Sequence, residues 1–585
     1  MRKLRLLAPL AGIAGLLVAC VIPLSGSAQA EELVSRPPLV LVISIDQLRR
    51  DRLHAELPGG LGRIVRRGRV YERAVLDHAH TETCPGHASM LTGRHPGPAG
   101  VPTTNFVERS TLKVRYCADD PDPKAASFGG ARVGRSPRNL RATTLGDWIK
   151  AEHPTARVFA VSGKDRSAIM LGGQKPDGVY WLDWRGYGHF TTSRYYTEEF
   201  PDWLAKWTRD EILEGIPARW EHPTGSSPNG VRPDVFPGES QRNSNASPHP
   251  LSGALSRQEA EAAVRALQAM PPELRAAEMQ RLSLASFYYS PYLDKVTLRF
   301  ARELVEREDL GNRDVPELLA ISLSGTDLVG HLYGPWSQES AHALASLDRD
   351  LGSFLDFLEA RVGKRRLLIA LTADHGVLPL PEWLAAEKRE QCPVPGGRID
   401  SKSLSAALTA ELDKIFGSPG SSSASDPRSP LPAPGWLVGE GFRFTVNRPL
   451  CAERGVTPEQ VIAAAKAFLA ARSGVARLWT PHDFADAAEG SKAALYRNSY
   501  HPQRGGDLII EPAAGCLFSA IGSGTTHGSP HAYDRDVPIV LAGPGVEAGR
   551  DARPAATVDL GPTLAALIGI EIPPGLDGRV LPLAP

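Results

Sequence analysis

The sequence predicts an α/β protein of three layers, α/β/α, around a mostly parallel central sheet. Apolar runs of strand length, rich in branched residues, recur at 39–45, 318–323, 367–372 and 537–541. Such runs suit strands buried on both faces. Stretches with helical patterning lie between them, among them 259–270 and 338–362. Strands alternating with helices indicate a sheet covered on both sides. Three of the runs also end on polar residues. Asp46 closes the first, Asp327 follows the second, and Asp374 and His375 close the third. Ligands bind beyond the carboxyl ends of parallel strands, so these side chains are expected at a site.

The remaining segments follow in chain order. Residues 1–30 read as an export signal: Arg2, Lys3 and Arg5 precede an apolar run over 6–24, and Ser27, Ala28 and Ala30 offer a small-residue cleavage site. A retained membrane anchor is the competing use of that run. Leu17, Val18, Ala19 and Cys20 resemble a bacterial lipobox, a second route that would leave a lipid on Cys20. No later segment is long and apolar enough to span a bilayer. Periplasmic or secreted protein follows from this reading. Segments near 222–252 and 418–434, rich in Pro and Ser, read as surface insertions without recognisable chemistry. Lys+Arg and Asp+Glu balance at 66 each over 585 residues, so no basic field argues for nucleic acid. Five cysteines lie beyond the signal, and an odd number leaves at least one thiol unpaired within the chain.

The acidic residues and histidines form an ordered set. Asp327 and His331 are four apart and share one face if the stretch is helical. Asp374 and His375 are adjacent, where a turn can splay them toward two neighbouring ions. His527 lies in a glycine-rich loop, and Asp46 completes three carboxylates and three imidazoles. Six N/O ligands without thiolate suit zinc or another divalent ion in a hydrolytic site. Thr83 precedes Pro85 at a helix start, where an alkoxide or a phosphoryl oxygen is stabilised. It is either a nucleophile or a helix cap. Lys164 and Arg166 follow a strand-like stretch, and paired cations fit a phosphoryl group.

Together these residues resemble the alkaline phosphatase superfamily, in particular its threonine-nucleophile branch of phosphate-irrepressible bacterial alkaline phosphatases, related to nucleotide pyrophosphatase/phosphodiesterases. The matching stretches are Ile45-Asp46, Thr83 to Gly93, Gly163-Lys-Asp-Arg166, Gly325 to His331, Thr372 to Gly376 and Thr526 to Pro530. The resemblance implies an alkaline-phosphatase-like catalytic domain over 31–585, carrying the two insertions. It implies two zinc ions, one on Asp327, His331 and His527, the other on Asp46, Asp374, His375 and the Thr83 oxygen. Thr83 would be the nucleophile, and Lys164 and Arg166 would bind phosphoryl oxygens. The branch's phosphate-binding asparagine falls on Thr104 without a gap, so Asn105 serves only through a one-residue shift. Small phosphate esters would be the substrates, monoesters before diesters. A phosphodiesterase of the same superfamily is the alternative enzyme, and a non-catalytic metal- or phosphate-binding protein the alternative of another class.

Overall fold

The computed structural model describes residues 39–128, 134–183, 188–222, 231–251, 270–271, 285–389, 391–419 and 435–584. The export signal with Cys20, the helical expectation over 259–269, and all but two residues of the 418–434 insertion lie outside the described residues.

Nine strands form the central sheet: β1 (Leu39–Ile45), β2 (Arg69–Val75), β3 (Val158–Ser162), β4 (Gly178–Leu182), β5 (Phe190–Thr191), β6 (Glu317–Leu323), β7 (Leu367–Thr372), β8 (Ile539–Ala542) and β9 (Gly549–Ala556). Their spatial order is β9-β2-β8-β7-β1-β6-β3-β4-β5. All run the same way except β5 and β8. Of the four apolar runs expected in a mostly parallel sheet, the one at 537–541 forms a strand that reverses. The His527 loop already lies at the carboxyl edge, so the strand that leaves it must run away from that edge.

The uninterrupted apolar runs are explained by the two cores. Leu39, Leu41, Ile43 and Ile45 enter one core, and Val40 and Val42 the other. The first core is closed by helices α1 (Gly60–Arg67), α5 (Tyr292–Arg307) and α7 (Gln338–Val362). The second is closed by α2 (Thr83–Thr92), α3 (Leu145–Glu152), α4 (Asp165–Gly172) and α8 (Leu560–Ile568). This is the three-layer α/β/α arrangement. Each buried strand side chain of this size contributes about 1.5–3 kcal/mol relative to exposure, which is why both faces must be apolar.

A smaller antiparallel sheet, ordered Leu437–Glu440, Arg443–Val446, Leu508–Pro512, Val475–Trp479, has its own core. Leu408 and Leu412 from the helix Ser401–Phe416, and Val461, Ala465 and Leu469 from Pro458–Ala470, pack on it. Two disulfides join Cys84 to Cys117 and Cys392 to Cys516, leaving the Cys451 thiol buried and free.

Candidate active site

β7, β1 and β6 are consecutive in the sheet and parallel, with Ser44 in register with both Ser322 and Thr372. Their carboxyl ends therefore abut. The Asp46 N–H continues the ladder by donating to the Leu323 carbonyl at 2.9 Å. After β6 the chain turns into α6 (Gly325–Tyr333), with Asp327 in its first turn and His331 in its last. One helical turn brings His331 Nε2 to 3.2 Å from Asp327 Oδ1. Asp374 and His375 occupy the turn after β7, with His375 Nε2 at 3.5 Å from Asp46 Oδ1 and 3.4 Å from Asp374 Oδ2. His527 joins from its loop, its Nε2 at 3.7 Å from Asp327 Oδ1 and its ring stacked on His375. All six sequence-derived ligand residues meet at this edge.

The imidazoles are oriented alike. His331 Nδ1 donates to the Thr525 carbonyl at 2.8 Å, His375 Nδ1 to Gly376 at 3.0 Å, and His527 Nδ1 to Thr81 at 2.7 Å. A carbonyl only accepts, so each proton sits on Nδ1 and each Nε2 presents its lone pair to the site. Metal-binding histidines are held this way. Asp46 Oδ1 and His375 Nε2 are buried without a hydrogen-bond partner. Unpartnered buried polar atoms are costly, and a divalent cation beside them satisfies both. The residues present thus fit a metal ion.

The charges point the same way. Burial pushes the Asp46 carboxyl well above the usual range, and the Asp327 and Asp374 charges raise it further. Burial also raises Asp327 and Asp374, but neighbouring His331 and Lys164 hold the first low, and neighbouring His375 and His87 hold the second low. Burial keeps His527 far below the ordinary histidine value, the neutral form a metal requires.

Thr83 is the first residue of α2 and is almost fully buried. The cap position belongs to Glu82, in extended conformation. Thr83 is therefore not the helix cap; it belongs to the first turn, at the positive end of the helix dipole. Lys164 and Arg166 sit at the turn from β3 into α4. The Lys164 ammonium bridges the carboxylates of Asp46 and Asp327. Arg166 Nε is buried without a partner. Asn105 and Thr104 separate here. The Thr104 hydroxyl lies 3.4 Å from the Cys84 N–H beside Thr83, whereas the Asn105 carbonyl accepts from the Thr103 hydroxyl and from Arg443.

The Type I phosphodiesterase / nucleotide pyrophosphatase model matches residues 40–392. The chain belongs to that family. The chain is 29% identical to a protein of Myroides odoratus named calcium-transporting ATPase, over 94% of this chain and 95% of that one. It is 30% identical to alkaline phosphatase PhoK of a Sphingomonas species, over 95% and 92%. The solved structure of wild-type alkaline phosphatase PafA superposes with a TM-score of 0.80 at 25% identity, over 93% and 98%. This family member thus carries the alkaline-phosphatase fold and is an enzyme of that superfamily.

Four residues around this site were not singled out from sequence. Gln47 holds a left-handed φ of 69°, a conformation that non-glycine residues keep where the surroundings enforce it. It donates its N–H to Asp374 Oδ1 at 3.1 Å and its amide to Asp327 Oδ1 at 2.6 Å, so it ties the two ligand turns together. His87 Nδ1 lies 2.9 Å from the Thr83 carbonyl and 3.2 Å from Asp374 Oδ2. Its position four residues after Thr83 is the only sequence signal it gives. Glu82 accepts the Thr104 N–H at 2.8 Å and pairs with Arg443 of the smaller sheet at 3.2 Å.

Gly86 is the fourth. A Cβ there would lie 2.2 Å from the Asp374 carbonyl oxygen, so the helix of Thr83 approaches the turn of Asp374 backbone to backbone. Gly86→Ala is expected to force them apart, costing about 1–3 kcal/mol of stability and lowering kcat. Thermal melts and steady-state rates check this; an unchanged Tm would refute the close contact.

Proposed function

We propose that this protein is an exported phosphomonoesterase acting through a phosphothreonine on Thr83, with two zinc ions. The observation that carries this reading is the convergence of three lone-pair-bearing His Nε2 atoms and three carboxylates at the start of the helix that Thr83 opens. Asp327, His331 and His527 would hold one ion, and Asp46, Asp374 and His375 the other, together with the Thr83 oxygen. Zinc, when bound, supplies Lewis-acid charge that favours the deprotonated form of a hydroxyl or water and offsets phosphoryl charge.

The chain's own residues supply the rest. Thr83 Oγ, its proton given up to solvent, attacks phosphorus in line; its bond to phosphorus forms as the ester bond breaks, and the leaving oxygen departs with the electron pair and takes one proton back from solvent. Water then attacks the same phosphorus from the opposite side, the P–Oγ bond breaks, and Thr83 is regenerated with release of phosphate. The helix amides, Arg166 and Lys164 stabilise charge on the non-bridging oxygens. A monoester dianion profits more from two cations than a diester with one charge, which is the ground for preferring monoesters.

Arg166→Ala is expected to lower kcat/KM for an aryl monoester on the order of 10²-fold and for an aryl diester by much less. Wild-type protein that strongly prefers the diester would overturn the monoester reading and favour the phosphodiesterase one, after which the family model is named. The name of the Myroides relative places ATP in the same substrate panel. Any zinc-dependent turnover excludes a purely binding role.

Two disulfides suit an oxidising compartment outside the cytoplasm. No helix among the described residues is long and apolar enough to cross a membrane. Mass spectrometry of the mature N-terminus distinguishes cleavage after Ala30 from lipid attachment at Cys20.

A further inference from the structure

A second cluster of metal-ligand side chains lies away from the candidate active site, in the segment that reads from sequence as an insertion without chemistry. His249 is a member of a short two-stranded ladder in which Arg219 and Trp220 pair with Pro250 and His249, and His222 follows that ladder two residues after Trp220. Asp234 comes from the loop between them, and Glu339 from the first turn of α7. One donor atom from each of these four residues lies within 4.8 Å of every other.

We infer that His222, Asp234, His249 and Glu339 form a third divalent-metal site, of the zinc class and structural in role. The separations fit. His222 Nε2 is 3.1 Å from Asp234 Oδ1 and 3.7 Å from Glu339 Oε1, and His249 Nε2 is 3.5 Å from Glu339 Oε1. A tetrahedron built on Zn–N and Zn–O bonds of about 2.0–2.2 Å has edges of about 3.3–3.6 Å. The observed separations scatter around that edge.

Hydrogen-bond accounting separates this site from an ordinary buried His–carboxylate network. His222 and Asp234 are within bonding distance of each other. Both Glu339 oxygens and His249 Nε2, however, are fully buried and make no hydrogen bond of ordinary geometry; what faces Glu339 Oε1 is His249 Nε2 at 3.5 Å and His222 Nε2 at 3.7 Å. A buried carboxylate met only by imidazoles at those distances is costly, and a cation between them satisfies it. His249 Nδ1 faces the carbonyls of Asn243 and Ser244, each at 3.3 Å, so its Nε2 points to the cluster as a ligand nitrogen must. Two imidazoles argue against calcium or magnesium, which prefer oxygen donors throughout.

The site lies where it can brace the first one. Tyr333, the last residue of α6, donates its hydroxyl to the Ser244 carbonyl at 2.8 Å. Ser240 N–H donates to the Leu332 carbonyl at 2.9 Å, and the buried Arg232 pairs with Glu239 and donates to the Tyr333 carbonyl. A metal joining this loop to α7 therefore clamps the end of the helix that carries Asp327 and His331.

The test uses the full chain with zinc chloride as the only added metal. Crystals measured at the zinc absorption edge should show an anomalous peak among His222, Asp234, His249 and Glu339. Metal analysis after gel filtration should give one zinc fewer per chain for His249→Ala and for Glu339→Gln than for wild type. A wild-type anomalous map with no peak there refutes the site even if neither variant folds. Folded variants that retain the wild-type zinc count refute it as well. Because the position is read directly from the map, failure here is distinguishable from failure of the two-zinc reading of the active site.

Discussion

Replacing Thr83 by alanine is expected to lower kcat on a phosphate monoester by on the order of 10³-fold or more, while the folded protein still binds zinc. Double displacement has no substitute for the oxygen that carries the phosphoryl group. The structure makes the experiment clean, because Glu82 rather than Thr83 occupies the cap position and α2 is pinned by the Cys84–Cys117 disulfide one residue on. The stability cost should stay near 1 kcal/mol. Thr83→Ser keeps the hydroxyl and should retain much of the rate. Rapid quenching of wild-type enzyme with labelled substrate should trap phosphate on the peptide containing Thr83. An alanine variant within tenfold of wild type would remove Thr83 from the chemistry.

Stripping the metal with a chelator should bring activity to background, and zinc should restore it. Asp327→Asn should be the most damaging ligand change. Asp327 belongs both to the group with His331 and His527 and to the group with Asp46 and His375, and it accepts from Gln47 and Lys164 besides. Its loss is therefore expected to lower metal content by more than His331→Ala does. Acid acts in the same direction. Protons compete with the ion for its imidazole and carboxylate ligands, so zinc retention after dialysis should fall as pH drops. Full turnover by protein with no detectable metal would exclude the two-metal reading.

Much of the candidate site was legible in the chain because its chemistry is compressed into short motifs. Asp46, Asp374 and His375 directly follow strand-like runs, and Asp327 and His331 carry helical spacing, so a parallel sheet alone predicts that they approach. Gln47 was not legible: its importance comes from a left-handed backbone and from two carboxylates more than 250 positions away in sequence. The pairing of five cysteines was equally open, since 33 and 124 residues separate the partners that fold together. The small sheet around Arg443 went unseparated because its strands are short and interleaved with helices in a stretch that reads like the rest of the chain. The insertion at 222–252 gave no signal because His222, Asp234 and His249 have no regular spacing, and their fourth partner, Glu339, lies on a distant helix.

The sequence by itself therefore determined the layer architecture, the family, and which carboxylates and imidazoles gather at one sheet edge. Hydrophobic periodicity and strand-end chemistry are local properties, written within a few residues. The tertiary structure decided that β8 runs backwards, that Thr83 opens its helix instead of capping it, that the Thr104 hydroxyl lies beside the Cys84 N–H, and that four scattered side chains meet at a second cluster. Each of these depends on which distant segments a packed core brings within a few ångströms, and no local pattern encodes that.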